Sequence, residues 1–229
     1  MSQIPLFKVN NLKIEKKNMR LLSIKKFEIH KGAWYVFSGK FGCGKSTILE
    51  ALNRNNNNYD GEILFENDNI HKVSKKTFND NIAILNQKHY PPFFNKTVKE
   101  YIRNYLKNYN HINNIDQRID SISKKMNLTN LHQRSIKELS IGQFRWISLA
   151  SRIAADTRIL FIDDLEQGLG KSEINTLANI LYKKCNFDGV TIISSSQNRD
   201  YFLKSASVII LMEYGKINSV RSYNSKKNN

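Results

Sequence analysis

The stretch from Gly39 to Thr47, Gly-Lys-Phe-Gly-Cys-Gly-Lys-Ser-Thr, spaces its glycines, lysine and hydroxyls as G-x-x-x-x-G-K-[ST]. That spacing suits one chemistry. Backbone N–H groups wrap a phosphate at a range only glycine permits, and a helix N-terminus adds positive potential. Gly39, Lys40, Phe41, Gly42, Cys43 and Gly44 would form the wrap. Lys45 would reach the terminal phosphates, and the Ser46 hydroxyl, with Thr47 beside it, would serve Mg²⁺. A second pair of chemical groups follows the apolar run Ile159–Ile162, which ends at Asp163 and Asp164. A carboxylate at the end of a neighbouring buried strand is where a second Mg²⁺ partner belongs, although strands also end at acidic turns with no such role. Cys43 lies inside the glycine loop, where a helix N-terminus could lower a thiol pKa; the plain alternative is a small residue filling a variable position. Kinases, GTPases and motor proteins all use such a loop, so the remaining chain must discriminate.

The elements that would carry these groups alternate short apolar strands with amphipathic helices, which predicts an α/β fold with a largely parallel sheet. Strands are expected at Phe7–Leu12, Phe27–His30 and Ala33–Ser38, and a helix follows the glycine loop from Lys45 to Leu52. Asn53–Asp60 reads as a polar turn, Gly61–Phe65 as a strand, and Ile82–Leu85 as a strand that delivers Gln87. From Thr97 to about His132 the pattern is helical and polar, with Val98, Tyr101, Ile102 and Tyr105 at helical spacing, so a helical lobe over about 97–138 is inserted into the core. Then come a helix over Gly142–Ala155, the Ile159–Ile162 strand, a helix over Ser172–Lys184 and strands at Val190–Ser194 and Val208–Met212. Residues 1–217 are expected to form a single domain, and the polar residues 218–229 a frayed tail.

Composition narrows the classes. The chain has 229 residues, 40% of them apolar, which suffices for one domain with a real core. Its longest apolar runs are strand-sized, far short of the roughly 20 residues of a membrane helix, and the N-terminus lacks a secretory h-region. Two cysteines exclude a disulfide scaffold and fit a reducing interior. The net charge of +16 invites a nucleic-acid reading. Yet roughly one residue in eight is Asn, including the run Asn55–Asn58, and the lysines are scattered. An AT-rich coding bias explains both, and attraction to anionic lipid headgroups would explain the charge equally well. No dedicated nucleic-acid partner is expected.

Taken together, the glycine loop, Gln87 after a strand, Leu139-Ser-Ile-Gly-Gln143 before a helix and Asp163-Asp164 after Ile159–Ile162 resemble the ATP-binding subunit of ABC transporters. The likeness covers about Phe7 to Ile217. Tyr90-Pro-Pro-Phe-Phe94 resembles the segment after that family's glutamine loop, and Leu211–Ile217 its late hairpin. The resemblance implies a P-loop core with a mostly parallel sheet, an N-terminal antiparallel β subdomain and the inserted helical lobe. It also implies two subunits sandwiching two ATP molecules, each phosphate loop facing the other chain's Leu-Ser-x-Gly-Gln segment. Mapped onto this chain, Gly39 to Thr47 hold phosphate and Mg²⁺, and Asp163 binds Mg²⁺ through water. Gln87 contacts Mg²⁺ or the attacking water and senses the membrane partner. Ser140, Gly142 and Gln143 close over the second subunit's γ-phosphate. ATP and Mg²⁺ are the implied ligands. The implied partners are separate membrane-spanning subunits at the cytoplasmic face of the cell membrane and a second ATP-binding subunit, identical or not. At this length no C-terminal regulatory domain of the kind some importer subunits carry is expected.

Several positions depart from the family pattern. Asp164 stands where the catalytic base is normally Glu, its carboxylate retracted by one methylene, and a misplacement of about 1 Å can cost roughly a hundredfold in rate. Gln197 stands where a switch histidine is usual; it can hydrogen-bond a phosphate and cannot carry a proton's charge. Gly170 replaces an aspartate, Ile141 a glycine, and Ile14–Arg20 offers no ring to stack on adenine. Asp for Glu with Gln for His resembles the degenerate half of asymmetric pairs; neutral drift leaving a slower homodimer is the alternative. Three functions follow: the ATP-hydrolysing subunit of a transporter, a soluble ATPase of a non-transport assembly, or a nucleotide-binding regulator with little turnover. Tyr90-Pro-Pro-Phe-Phe94 either lines a groove for a membrane subunit or anchors the helical lobe.

Overall fold

The computed structural model describes residues 4–17, 19–92 and 95–223. An N-terminal hairpin pairs β1 (Phe7–Lys16) with β2 (Met19–Ile29) antiparallel, Phe7 opposite Ile29. Next in the chain are β3 (Trp34–Ser38), α1 (Lys45–Leu52), β4 (Asp60–Phe65), β5 (Asp68–Asn69), α2 (Lys75–Asp80) and β6 (Ile82–Leu85). The lobe contributes α3 (Val98–Leu106) and α4 (Ile115–Lys125). After it come α5 (Ile141–Ala154), β7 (Ile159–Ile162), α6 (Lys171–Asn186), β8 (Thr191–Ser196), β9 (Val208–Glu213) and β10 (Lys216–Ser222). The strands form a four-stranded antiparallel sheet, β2-β1-β4-β5, and a six-stranded sheet, β10-β9-β3-β8-β7-β6, parallel except at β10.

The central sheet is buried on both faces, as its uninterrupted apolar strands require. Trp34 and Val36 of β3, with Leu160 and Ile162 of β7, face the core shared with the lobe, α5 and α6. Their neighbours Tyr35, Phe37, Ile159 and Phe161 face the core shared with α1 and the antiparallel sheet. The period of two thus divides the residues of each strand between two cores. The lobe is closed at its neck: Thr97 bridges Ser135, Val98 N donates to the Arg134 carbonyl and Ile136 N to that of Lys96.

Several elements differ from the sequence expectation. Strand β2 begins at Met19 instead of Phe27, because Leu22 and Ile24 bury alternate side chains ahead of Phe27, and the two-residue β5 had no apolar signal. The first strand continues past Leu12 to Lys16, because Leu12 and Ile14 bury alternate side chains while the intervening charges face outward. The short helix α2 was not expected. It is started by Ser74, whose hydroxyl accepts from Thr77 N, and it buries only Phe78, so its apolar signal is a single residue. The polar stretch expected to fray from Asn218 is strand through Ser222. It zips onto β9 at the sheet edge, where an exposed polar strand is at home. Residues 224–229 of the expected tail lie outside the described residues.

Candidate functional site

Four adjacent parallel strands deliver the site. In sheet order β3, β8, β7 and β6 end at Ser38, Ser196, Ile162 and Leu85, and just beyond these ends lie the glycine loop, Gln197, Asp163-Asp164 and Gln87. A crevice outside the carboxyl ends of parallel strands is the usual ligand position in such sheets. Here it is a cleft of about 250 Å³ lined by Leu21, Phe41, Gly42, Gly44, Lys45, Ser46, Thr47, Gln87, Asp163, Asp164, Ser195 and Gln197.

The loop's shape follows from its glycines. Gly44, the residue that starts α1, has φ +101°, and a Cβ there would press on the Leu21 carbonyl and the Leu22 side chain. Lys45 lies against the loop: its Nζ donates to the carbonyl oxygens of Gly39 at 2.7 Å and Lys40 at 3.0 Å, with Cys43 Sγ at 3.8 Å. Cys43 is buried, and its carbonyl accepts from Gly215 N of the β9–β10 turn. A small residue packed beneath the loop describes it. Phe41, by contrast, is 84% exposed.

The two carboxylates are nearly buried, each 8% exposed, and are held differently. Asp163 Oδ1 accepts the Ser195 hydroxyl at 2.5 Å, and the same Ser195 oxygen receives Asp164 N at 2.8 Å. Asp164 Oδ2 accepts Gln87 Nε2 at 3.0 Å and, at a longer 3.5 Å, Gln197 Nε2. The Asp164 backbone is left-handed, φ +59°, a conformation that Asp tolerates better than most residues. Behind them the Arg145 guanidinium of α5 donates to the carbonyls of Asn86 at 2.7 Å, Asp163 at 2.5 Å and Asp164 at 3.0 Å. Burial lowers its pKa to about 10, with the Asp164 and Asp163 charges opposing the shift, so it remains a cation at neutral pH. Close by, burial raises the pKa of Glu50, and the Asp163 charge adds to the effect.

Ser140, Gly142 and Gln143 do not line this cleft. They begin α5 as a capping box: the Ser140 hydroxyl accepts Gln143 N at 3.1 Å, and Gln143 Oε1 accepts Ser140 N at 3.0 Å. The Ser140 hydroxyl proton and the Gln143 amide N–H₂ are left over by this pairing. Gly142 packs on the loop behind the carboxylates, where a Cβ would collide with the Gly168 carbonyl. Ile141 is 82% exposed at the same helix start. The sequence reading missed Ser195 and the reach of Arg145. Both act through contacts more than fifteen residues away, and no local motif announces them. Of the aromatic segment after Gln87, Tyr90 is exposed and Phe93 and Phe94 lie outside the described residues. The lobe is instead anchored by His89, which stacks on Phe144 and meets the Tyr101 hydroxyl at 2.8 Å.

The residues present suit a nucleotide with Mg²⁺. The loop glycines leave room for phosphate, a lysine supplies cationic charge, and a hydroxyl and a carboxylate line the same cleft. Among the described residues no group of three or more His, Cys, Asp or Glu could hold a metal ion alone.

Such a loop and carboxylate pair at the ends of parallel strands define a P-loop nucleotide-binding domain. A family model described as ABC transporter matches residues 22–167, and the chain belongs to that family. It is 26% identical over 217 residues to an ABC transporter ATP-binding protein of Clostridium tetani, covering 92% of this chain and 49% of that one. It is 25% identical over 214 residues to the cytochrome c biogenesis ATP-binding export protein CcmA of Reclinomonas americana, 90% and 93% covered. In structure it superposes on the dimeric ATP-binding cassette MJ0796 bound to ADP and Pi with a TM-score of 0.81, at 18% identity, covering 94% of this chain and 98% of that one. The chain spans about half or less of the length of the first curated relatives it matches. The mixed α/β fold, with its antiparallel β subdomain and mostly parallel sheet, is that of ABC ATPase cassettes. Domains of this family bind ATP or ADP and hydrolyse ATP.

Proposed function

We propose that this chain is the ATP-binding and ATP-hydrolysing subunit of a transporter, driving separate membrane-spanning subunits through ATP-dependent closure of a dimer. The observation that carries this reading is the convergence of Lys45, Ser46, Gln87, Asp163, Asp164 and Gln197 on one cleft at the ends of four neighbouring strands. In it, Gly39 to Thr47 cradle the phosphates and Lys45 exchanges its loop carbonyls for β- and γ-phosphate oxygens. Ser46, Gln87 and, through water, Asp163 would hold Mg²⁺, which would supply charge neutralisation to the phosphates. Asp164 orients and deprotonates the attacking water, while Gln87 and Gln197 fix the carboxylate from two sides. Ser140, Gly142 and Gln143 serve the second subunit's nucleotide; the solved dimer with ADP and Pi on the same fold supports a partner of that kind.

Hydrolysis is slow in this reading. Asp164 is one methylene short of the usual Glu, and its Oδ2 already accepts two amide donors. Gln197 cannot take up a proton. The chain then pairs with a sister subunit that turns over faster, or works as a slow homodimer.

In this reading the partner holds the chain at the cytoplasmic face of a membrane; no helix among the described residues is long and apolar enough to cross one. The chain, tagged and expressed in its native cell, is expected in the membrane fraction together with a protein of several apolar helices. Recovery with a soluble assembly instead would favour an ATPase of a non-transport complex.

A further inference from the structure

The loop behind the carboxylates holds a third acid that the proposed chemistry does not use. Glu166 Oε1 accepts three donors from the end of β8: the Ser196 hydroxyl at 2.9 Å, Gln197 N at 2.6 Å and Asn198 N at 3.0 Å. Its other oxygen, Oε2, is buried and has no hydrogen-bond partner among the described residues. A buried carboxylate oxygen with no partner is costly, and such groups persist where the arrangement serves something else. What Glu166 holds is the turn that presents Gln197. Ser196 is the last residue of β8, Gln197 and Asn198 are exposed, and the N–H groups of both go to the one carboxylate oxygen. Upstream, Leu165 N donates to the Ser195 carbonyl at 2.9 Å, so the β7 and β8 loops are stitched side by side and Glu166 is the last stitch before Gln197.

We infer that Glu166 is a positioning residue for Gln197: its carboxylate fixes the 196–198 turn so that the Gln197 amide reaches Asp164 and the γ-phosphate side of the cleft. The catalytic part of this inference rests on the function proposed above; the structural part does not. Three donors converge on one oxygen, so the hold on this two-residue turn depends on an accepting oxygen at that reach. Gln at 166 keeps an accepting oxygen at the same reach, Asp keeps the charge and loses the reach, and Ala loses both.

The test combines a double-mutant cycle in ATP turnover with hydrogen exchange at the Gln197 and Asn198 amides. E166A and the milder E166D are expected to speed exchange of those two amides by about tenfold or more, while E166Q stays near wild type. In turnover, E166A and E166D are expected to lower kcat by about tenfold with KM for ATP little changed, and E166Q to retain most of it. Added to Q197A, E166A is expected to lower kcat by no more than about twofold further, because both changes remove the same interaction. Equal losses from E166A with and without Gln197, or unchanged exchange at the two amides in both E166A and E166D, would overturn the inference. A wild-type chain whose turnover equals that of K45A would instead count against the proposed hydrolysis, and the exchange measurement then decides the positioning role alone.

Discussion

In the proposed hydrolysis Asp164 carries the greatest burden, because its short carboxylate would act where two glutamine amides already bind. Lengthening it is the direct intervention. Asp164→Glu combined with Gln197→His is expected to raise steady-state ATP turnover by about tenfold or more, as a repositioned base can recover a factor of that size. The substitution has a stability cost: at φ +59° Glu is less at ease than Asp, so a fall of about 1 kcal/mol in unfolding free energy is expected by denaturant titration. An unchanged rate in the folded double variant would mean that side-chain length is not what limits this site. At this scale the sequence was legible wherever one local motif marked residues that the fold brings into the cleft. The glycine loop, Asp163 and Asp164 needed only their spacing and a preceding strand. Ser195, Arg145 and Glu166 were opaque because each acts on a partner brought near by strand order, and nothing in their own neighbourhood marks them.

The elements add coupling to this chemistry. Helix α5 begins with the Ser140–Gln143 capping box and, one turn on, sends Arg145 to the carbonyls beside both Gln87 and the carboxylates, so the two ends of the candidate machinery share one rigid body. Ser140→Ala is expected to cost about 1 kcal/mol of stability, the usual value of a lost N-cap, measurable as a lower denaturation midpoint. The Gln87 loop is tied to the lobe through His89, which also lies near Arg152. Burial and then the Arg152 and Arg145 charges lower its pKa from 6.5 to about 4, so the folded protein holds the ring neutral. Between pH 6.5 and 4 the unfolded chain therefore binds the proton first. The His89 contribution is fully present above pH 6.5 and is lost as pH falls through that window. The effect is on the order of 1 kcal/mol, since the ring keeps some contact with water. His89→Gln should therefore show a smaller drop in Tm between pH 7 and pH 5 than the wild type. An equal drop in both would remove His89 from the account. Element by element, the strongly apolar strands β3, β6, β7 and β9 were readable, whereas β10 and the end of β1 were not. Their stability comes from pairing to a neighbour, and pairing leaves no periodic trace in an exposed, charged strand.

At the scale of the whole molecule, one sheet separates two cores, and the cleft lies beyond the carboxyl ends of four of its strands. Trp34 is fully buried, packs edge-on against Phe202 and donates its indole N–H to Ser194 Oγ at 2.9 Å, joining the start of β3 to β8, the two strands that lead to the glycine loop and Gln197. Trp34→Ala is expected to destabilise the protein by about 3–5 kcal/mol, the range for emptying a large aromatic site, and to weaken nucleotide binding by loosening those two strands. Family membership and architecture follow from features spread along the entire sheet, which is why the alternation of strands and helices made them legible. The most direct test of the account is steady-state ATP hydrolysis by the purified chain with Mg²⁺, beside Lys45→Ala. Turnover on the order of 0.1 s⁻¹ or slower that disappears in the variant, with ATP binding weakened, is the predicted result. Hydrolysis that persists undiminished in a folded Lys45→Ala protein would contradict it, for the chemistry would then lie outside this cleft.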